Sequence, residues 1–375
     1  PGTMAADQLT IVNAEYSDTS FRVAPVRIGA HSFMGNFVAY PSDAAIGDDC
    51  LLASKVLVPI EGDPAEHLGF LGSPNFEIPR QVERDREFDD AKRGDRLGEL
   101  LVAKNRHNRV TIGLYLTTRW FTTFVSLLVV LAAVDLLARF GTWAIFGASI
   151  SLILFRALFN VAVERASTGF KRLRPTYCSL YDHDNWRIER HWKLAWEPII
   201  FNGTPFKSIF WRLLGVRMGK RVFDDGCVMT EKTMISVGDD CVLNAGSVIQ
   251  THSQEDGAFK SDHVTVGNGC TLGVRSLVHY GTTMGDRSSI GANAFLMKGA
   301  DVTPGSQWAE NPAREVAGGA PSHELETSET PDERPTPPST PPANAPDDAA
   351  ADDGGAPGGI ATMTRTRTEQ AEVAR

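Results

Sequence analysis

Four residues capable of acid–base chemistry lie close together in the segment 251–262: His252, Glu255, Asp256 and Lys260. An imidazole titrates near neutral pH, so His252 can take a proton from an amine or hydroxyl that attacks a carbonyl carbon. A neighbouring carboxylate, Glu255 or Asp256, can hold the ring tautomer, and a cation such as Lys260 can stabilise the oxyanion. These residue types predict acyl transfer with His252 as general base. The alternative is that His252 is only a polar loop residue.

The other histidines are weaker candidates for the base. His279 stands in the sequence LVHYG, at a position that we expect to face outward, and it is the second candidate. His31 and His263 look like surface residues. His67 lies in the Gly/Pro-rich segment 61–80, which we interpret as a lid or docking strap without a catalytic role. Since the cysteines and histidines lack metal-ligand spacing, no metal site is predicted.

A six-residue repeat must position these groups. The inward positions of the repeat are Ile28, Met34, Tyr40, Ile46, Leu52 and Val58, and then Val266, Leu272, Val278, Met284, Ile290, Leu296 and Val302. This period fits neither an α-helix nor an ordinary strand. It is typical of a left-handed parallel β-helix, in which three six-residue edges close one coil and aliphatic side chains stack inside. The sequence therefore predicts two such β-helices in a mainly β chain.

The two runs are copies of one module. Shifting the sequence by 238 positions superimposes the ladders and also aligns two loops, 11–28 and 249–266. Loops that leave a rigid solenoid often carry function. The position that matches His252 is Ala14, so the loop does not need a histidine to form. We infer that His252 has a role beyond folding, or none.

A two-helix transmembrane hairpin is expected between the β-helices. The segment 111–134 has Arg119 as its only charge and 141–163 has only Arg156, and the connection DLLARFG is short. About 20 apolar residues cross about 30 Å of hydrocarbon. Arg119 and Arg156 are interpreted as snorkelling to the headgroups. The basic flanks place both ends, and so both β-helices, in the cytoplasm; they are Lys104, Arg106, Arg109, Arg165, Lys171, Arg172 and Arg174.

The predicted organisation is a partial β-helix with an exit strap over 1–82, an amphipathic linker over 83–110, the transmembrane hairpin over 111–164, a β-helix with a helical leading segment over 165–318, and a disordered tail over 319–375. The aromatic-rich segment 177–196 suits the membrane interface, which we prefer, or a ligand-facing lid. The segment 205–216 reads as a short helix that caps the second β-helix.

Charge and cysteine content limit the classes of function. The tail carries -7 of the net charge of -9 and is rich in proline, which predicts disorder. The rest is almost neutral, so nucleic acid is an unexpected partner. Cys50, Cys227, Cys241 and Cys270 fit as small core residues of a protein from a reducing compartment. Because the chain begins at Pro1 and enters a repeat within a few residues, we interpret it as a fragment of a longer polypeptide.

In its order of elements, the chain resembles the C-terminal region of the poly-lysine-synthetase type of non-ribosomal peptide synthetase. The matching stretches are LGSPNFEIPR with VERDREF, KNRHNRVTIGLYLTTRW, FNGTPFKSIFWRLLGVRMGKRVFDDGC, QTHSQEDGAFKSDHVTVG and GANAFLMKGADV. The resemblance implies tandem acetyltransferase-like domains that join amino-acid units by amide bonds. It also implies a phosphopantetheine thioester as acyl donor, borne on a carrier domain, with ATP used only in an adenylation domain of a missing N-terminal part.

The resemblance retains His252, the Glu255–Asp256 pair and Lys260, while smaller residues than is typical of the family follow the histidine. Ala14 suggests that the first β-helix is non-catalytic or supplies one wall of a neighbour's cleft. The tandem copies are expected to form an intramolecular pseudo-trimer or a homo-oligomer. The substrate would be an amino acid or peptidyl unit. The alternatives are a membrane-bound hexapeptide-repeat O- or N-acyltransferase that uses acyl-coenzyme A, and a non-catalytic scaffold for a carrier domain.

Overall fold

The structure is a computed structural model that describes residues 2–60, 62–81, 88, 94–255 and 257–316. Asp256, the predicted tail over 319–375 and most of the linker between 83 and 93 lie outside the described residues. The described part contains two left-handed parallel β-helices and, between them in sequence, a hairpin of two long helices.

The first β-helix consists of short strands, and its coils stack in parallel. The strands are β1 (Met4–Ala5), β2 (Thr10–Ile11), β3 (Ala14–Tyr16), β4 (Phe21–Val23), β5 (Arg27–Ile28), β6 (Phe33–Met34), β7 (Ala39–Tyr40), β8 (Ala45–Ile46), β9 (Leu51–Leu52), β10 (Gly69–Leu71) and β11 (Phe76–Ile78). Phe33 pairs with Leu51, which pairs with Gly69, so one coil takes 18 residues, as three six-residue edges require. The predicted strap therefore adds β10 to the coil and then turns back as β11.

The second β-helix repeats this plan. Its strands are β13 (Arg217–Met218), β14 (Phe223–Asp224), β15 (Val228–Met229), β16 (Ile235–Val237), β17 (Val242–Leu243), β18 (Val248–Ile249), β19 (His252–Glu255), β20 (Ala258–Ser261), β21 (Val264–Val266), β22 (Thr271–Leu272), β23 (Leu277–Val278), β24 (Thr283–Met284), β25 (Ser289–Ile290), β26 (Phe295–Leu296), β27 (Asp301–Val302), β28 (Gln307–Ala309) and β29 (Arg314–Glu315). At its corners glycine is needed for space: a Cβ on Gly273 would lie 2.5 Å from the backbone carbon of Gly291.

The sequence ladder forms the interior of both β-helices. Every predicted inward residue is buried except Ile28, which is partly buried. The two predicted loops form hairpins in the same register, since Ala14 pairs with Val23 and His252 pairs with Ser261. The strand pairing thus confirms the 238-residue repeat. In the second copy only, a strand from outside the β-helix, β12 (Thr176–Ser179), extends the hairpin as a third strand beside β20.

The hairpin between the β-helices consists of α1 (Gly94–Phe140) and α2 (Trp143–Ser167). Both are long and apolar enough to cross a membrane, with windows of mean hydropathy 2.3 and 1.8 that are hardly buried. Helix α1 is continuous across the predicted boundary between linker and hairpin at 110, since no proline interrupts it. After α2 come α3 (His183–Leu194), a 3₁₀ turn (Ile199–Phe201), α4 (Pro205–Leu214) and a second 3₁₀ turn (Lys232–Met234).

The two β-helices contact each other through equivalent positions. Lys55 Nζ donates to Asn293 Oδ1 at 3.1 Å, and the N–H of Ser73 donates to the carbonyl of Asn311 at 2.8 Å. Both pairs are 238 residues apart, so the symmetry element that relates the copies passes close to this edge. The 18-residue coils of the two copies are therefore side by side rather than end to end.

Away from these equivalent positions, the apolar contact uses a different face of each copy. The first contributes Phe37, Ala53 and Leu71, and the second contributes Val248, Leu277 and Phe295. In the first copy the counterpart of Phe295 is Leu57, which is 53% exposed. The contact is thus heterologous, meaning that it joins two different surfaces of the module, and contacts of this type generate rings when they close. The pseudo-trimer or homo-oligomer stays a prediction.

Candidate active site

His252 is bound to a buried carboxylate that the sequence did not indicate. Its Nδ1 lies 2.9 Å from Oε1 and 3.0 Å from Oε2 of Glu231. An ionised carboxylate can only accept, so in the neutral ring Nδ1 carries the proton and Nε2 keeps the lone pair. The His252 side chain is 15% exposed and lines a cavity. Glu231 therefore fixes the tautomer of the His252 ring and leaves Nε2 as a basic nitrogen.

Four donors hold the Glu231 carboxylate. Besides His252, Trp192 Nε1 donates to Oε1 at 2.5 Å, Thr230 Oγ1 donates to Oε2 at 2.8 Å, and Thr251 Oγ1 also donates to Oε2. Burial by itself raises the pKa of Glu231, but the charge of His252 and these hydrogen bonds outweigh burial and leave the pKa well below its ordinary value. Glu231 is therefore an anion behind the ring at neutral pH.

Helix α3 covers this pair from above. The Trp192 ring stacks on the His252 ring with a centroid distance of 4.5 Å and an interplanar angle of 28°. Ile188 of α3 is buried in one cluster with Cys178 of β12 and Phe259 of β20, which joins the helix to the hairpin β19–β20. The segment 177–196 thus contains the lid over His252, which was the second of the two interpretations of its aromatic residues.

The cavity beside His252 measures about 820 Å³ and has walls from both β-helices and from two helices. The first β-helix contributes residues that include Asp7, Phe33 and Asn36. The cavity's walls from α1 and α3 include Lys104, Thr111, Tyr115, Glu189 and Arg190. The Asn36 side-chain amide donates to Gln250 Oε1 at 3.0 Å across the boundary. A space of this size accommodates a drug-sized ligand.

The other predicted site residues do not join His252 in this way. Glu255 lines the cavity, but its carboxylate lies 3.9 Å from Lys298 Nζ. Successive residues of a strand point to opposite faces, so Glu255, three positions along β19, turns away from the His252 ring. Glu231, and not Glu255, is the carboxylate that holds the tautomer. Lys260 lies on β20 between Tyr177 and Ser253, outside the described cavity lining, and Asp256 is outside the described residues.

His279, the second candidate for the base, is 5% exposed rather than open to solvent. It faces out of its coil, packs against Tyr280 and Phe295, and lines the same cavity as His252. Burial, together with the charges of His252 and Lys298, lowers the pKa of His279 to about 3. A ring that stays neutral at physiological pH is poorly suited to accept the reaction proton. His67 is exposed beside Asp49, 3.0 Å away. In the described part of the chain no group of three or more potential ligands fits a metal ion.

A second buried charge cluster lies on the cavity wall. Lys232 Nζ lies 3.0 Å from Oε1 of Glu164 and 3.3 Å from Oε1 of Glu197, and it donates to the carbonyl of Trp196 at 3.1 Å. Lys232 and Glu164 are almost fully buried, and Glu197 is 33% exposed and lines the cavity. One lysine between two carboxylates leaves an excess negative charge beside the cavity.

Glu197, the least buried member of this cluster, leads us to predict a pH effect on stability. Burial raises the pKa of Glu197 from 4.5 to about 7, and the charge of Lys232 offsets this only in part. The unfolded chain then ionises more readily than the folded one, so stability falls as pH rises from 4.5 to 7. We expect Glu197→Gln to raise the thermal midpoint at pH 8 and to leave it unchanged near pH 5. Scanning fluorimetry of the solubilised protein measures this, with the exposed Glu310→Gln as control. A lower midpoint at pH 8 would mean that the Lys232 ion pair outweighs burial.

Sequence reasoning missed Glu231 and Trp192. The signal for Glu231 was the run Thr230–Glu231–Lys232–Thr233, four polar residues that interrupt the ladder between Met229 and Ile235. All four except Thr230 are buried. Such a run inside a solenoid indicates paired polar groups.

The comparisons with known proteins match this architecture. The family model "Hexapeptide repeat of succinyl-transferase" matches residues 232–251 and 263–298. The delta-poly-L-ornithine synthetase of Acinetobacter baumannii (strain AB307-0294) is 26% identical over 321 residues, or 82% of this chain. The second β-helix thus contains hexapeptide repeats, and most of the chain is similar in sequence to a poly-ornithine synthetase. It spans about a quarter of the length of that relative, since the match covers 23% of it.

Several solved structures resemble the chain over part of its length. A hexapeptide-repeat acetyltransferase from Vibrio cholerae is 21% identical and covers 28% of this chain and 62% of its own, with a TM-score of 0.26. A maltose O-acetyltransferase from Clostridium difficile 630 is 18% identical, covering 38% and 91%, with a TM-score of 0.27. A galactoside acetyltransferase, solved with coenzyme A, is 18% identical, covering 30% and 68%, with a TM-score of 0.25.

Proposed function

We propose that this chain forms amide bonds by transferring an aminoacyl group from a phosphopantetheine thioester to the amine of a second amino-acid unit. The observation that carries the proposal is the His252–Glu231 pair on the wall of a cavity between two β-helices. A nitrogen base with a fixed tautomer is what attack by an amine on a thioester requires.

The proposed step follows from the geometry of the pair. The acceptor amine attacks the thioester carbonyl carbon, and His252 Nε2 takes the proton that the amine loses. Glu231 stabilises the imidazolium that forms, without itself taking a proton. The tetrahedral intermediate then collapses, the C–S bond breaks, and the imidazolium returns its proton to the departing thiolate. The products are the amide and a free thiol.

The donor and the larger context rest on the resemblance and on the relative's name. A poly-ornithine synthetase matches most of this chain, which supports the proposal that these residues act within a larger peptide synthetase. There the thioester would be borne on a carrier domain, and ATP would be used elsewhere in the polypeptide. The cavity has room for a pantetheine arm beside an amino-acid acceptor. The first β-helix would serve as one wall of the site rather than as a second catalytic unit, since Ala14 replaces the histidine.

The helical hairpin would hold the site at a membrane. Two long apolar helices with little buried surface support two spans, and the basic residues on both flanks support a cytoplasmic position for both β-helices. Lys104, Thr111 and Tyr115 of α1 line the cavity, so the proposed site and the proposed span share a helix.

Purified protein in lipid nanodiscs tests the proposed reaction. L-ornithyl or L-lysyl thioesters of a carrier domain are supplied with the free amino acid, and the parallel arm uses the same acyl groups on coenzyme A. We expect amine-dependent release of thiol and a dipeptide amide by mass spectrometry, faster with the carrier donor. Equal or faster reaction with acyl-coenzyme A would favour the stand-alone acyltransferase. If neither donor gave an amide, the result would favour the non-catalytic scaffold for a carrier domain.

A further inference from the structure

Helix α4 has an apolar outer face and polar residues on its inner face, the reverse of what is expected for a helix exposed to water. Phe206, Ile209 and Leu213 form one stripe on its outer face and are 45–57% exposed, while Lys207 and Ser208 point inward and are buried. The residues of a surface helix that face water are normally polar. An apolar outer stripe therefore indicates an apolar environment on that side.

The inner face fixes this orientation through polar bonds. Lys207 Nζ lies 3.0 Å from Asp224 Oδ1 and donates to Asn202 Oδ1 at 2.7 Å. Trp211 Nε1 donates to Asp224 Oδ2 at 2.7 Å. Both Lys207 and Asp224 are buried, so rotating α4 would leave a buried charge unpaired, which is strongly unfavourable. The helix cannot turn its apolar stripe inward.

The apolar surface extends beyond α4. Ile199 and Ile200, in the 3₁₀ turn before it, are 70% and 66% exposed. Phe201 of the same turn stacks on Phe210 at 4.4 Å, which fixes the turn against the helix. We call Ile199, Ile200, Phe206, Ile209 and Leu213 the α4 patch.

The patch adjoins the end of α2. Ala157 and Val161 of α2 are buried in one cluster with Phe210 and Leu214 of α4. On the same two turns of α2, Leu154 and Leu158 remain exposed. Helix α4 therefore packs against the proposed span about one to two helical turns inside its end, which places the α4 patch near the apolar surface of that span.

Basic residues surround the end of α4 that is nearest to α2. Arg165 and Arg172 donate to the carbonyls of Leu214 and Gly215, at 3.5 and 3.3 Å. Burial and the charges of Arg217 and Arg165 lower the pKa of Arg172, which shows how closely these cations are grouped. Apolar side chains bordered by cations match the boundary between acyl chains and anionic headgroups.

We propose that the α4 patch lies in the membrane interface and contacts acyl chains directly, with the arginines at the level of anionic headgroups. The proposal rests on the membrane position of the hairpin within the proposed function. The second β-helix would then be attached to the bilayer at two places, α2 and α4. Two attachments would fix the orientation of the cavity relative to the membrane.

Spin-label accessibility in nanodiscs of phosphatidylcholine and phosphatidylglycerol tests the contact. Single cysteines replace Phe206 or Ile209, and the five native cysteines are all buried and so react slowly. References are Leu128 and Phe146 in the hairpin, and Phe223 on β14, which is 48% exposed. We expect labels at 206 and 209 to collide with oxygen and to be protected from a water-soluble nickel complex, like those at 128 and 146. The label at 223 should show several-fold greater nickel contact.

The outcomes separate this proposal from the one on which it rests. Nickel access at 206 and 209, with protection at 128 and 146, would overturn the α4 contact and leave the hairpin in the membrane. Nickel access at all four positions would overturn both. Exclusion of both oxygen and nickel at 206 and 209 would mean that protein covers the patch, which also overturns the proposal. Circular dichroism of each labelled variant checks the fold.

Discussion

His252→Ala is expected to lower kcat for amide formation by about 10²–10⁴-fold, the contribution of a positioned general base. The variant removes the nitrogen that takes the amine proton but leaves Glu231, the lid and the cavity walls in place. It should fold, because Ala14 occupies the equivalent position of a hairpin with the same register. The measurement is thiol release in the nanodisc assay with the complete enzyme.

His263→Ala is the matched control for that variant. His263 follows the same hairpin, is exposed, and lies near the Met234 carbonyl rather than near Glu231. We expect its kcat to stay within about twofold of the unmodified enzyme, since surface substitutions are commonly mild. If His252→Ala retained full activity while the assay still depended on this chain, the proton acceptor would have to be another group, and the proposed mechanism would be wrong.

The interior of the β-helices could be predicted because its cause is local in sequence. Each inward residue recurs at a fixed step, and the coil closes every 18 residues, as Leu51 paired with Phe33 and Gly69 shows. The hairpin loops were found by the same logic, since copying a module preserves its insertions. The 238-residue overlay then separated His252 from the residues that merely hold the loop.

The partner of His252 could not be read in this way. Glu231 reaches it because β15 and β18 stack, with Met229 beside Ile249. The step between those strands is 20 residues rather than 18, since the 3₁₀ turn Lys232–Met234 enlarges the coil. An 18-residue step counted along the ladder therefore predicts the wrong strand partner for residues near Glu231. The repeat could not help either, because a counterpart of Glu231 in the first copy would fall before residue 1.

The lid and the far wall depend on long-range packing. Trp192 lies on α3, outside the repeat, and its stacking on His252 follows from β12 joining the hairpin beside β20. Asn36 approaches Gln250 only because the two β-helices pack side by side. The prediction for Glu255 was wrong for a different reason. Residues 252–255 form the strand β19 rather than part of a loop, and the alternation of side chains along a strand places His252 and Glu255 on opposite faces.

Glu231→Gln is expected to lower kcat by about 10²–10⁴-fold with little change in the KM for the amine, the pattern of a group that positions the base. A glutamine amide can donate to Nδ1, which would shift the proton to Nε2 and remove the lone pair from the cavity. If Glu231 acts through His252, the double variant with His252→Ala should be no slower than His252→Ala alone.

The pH dependence of stability is a second readout for the role of Glu231, beside kcat. Its folded pKa lies below the ordinary 4.5, so the stability that its charge contributes is fully present above that pH and declines as the pH falls below it. Glu231→Gln should therefore destabilise the protein at pH 7 and flatten this acid-side decline.

The matched control for this buried carboxylate is Asp224→Asn. Asp224 is likewise buried and is bonded to Lys207 and Trp211, but it lies outside the described cavity lining. We expect Asp224→Asn to lower the thermal midpoint comparably and to leave kcat within a few-fold of the unmodified enzyme. An equal loss of kcat in both variants, or a further loss when Glu231→Gln is added to His252→Ala, would show that Glu231 supports the fold rather than the base. A selective and non-additive loss means that the anion behind the ring is what makes His252 a base.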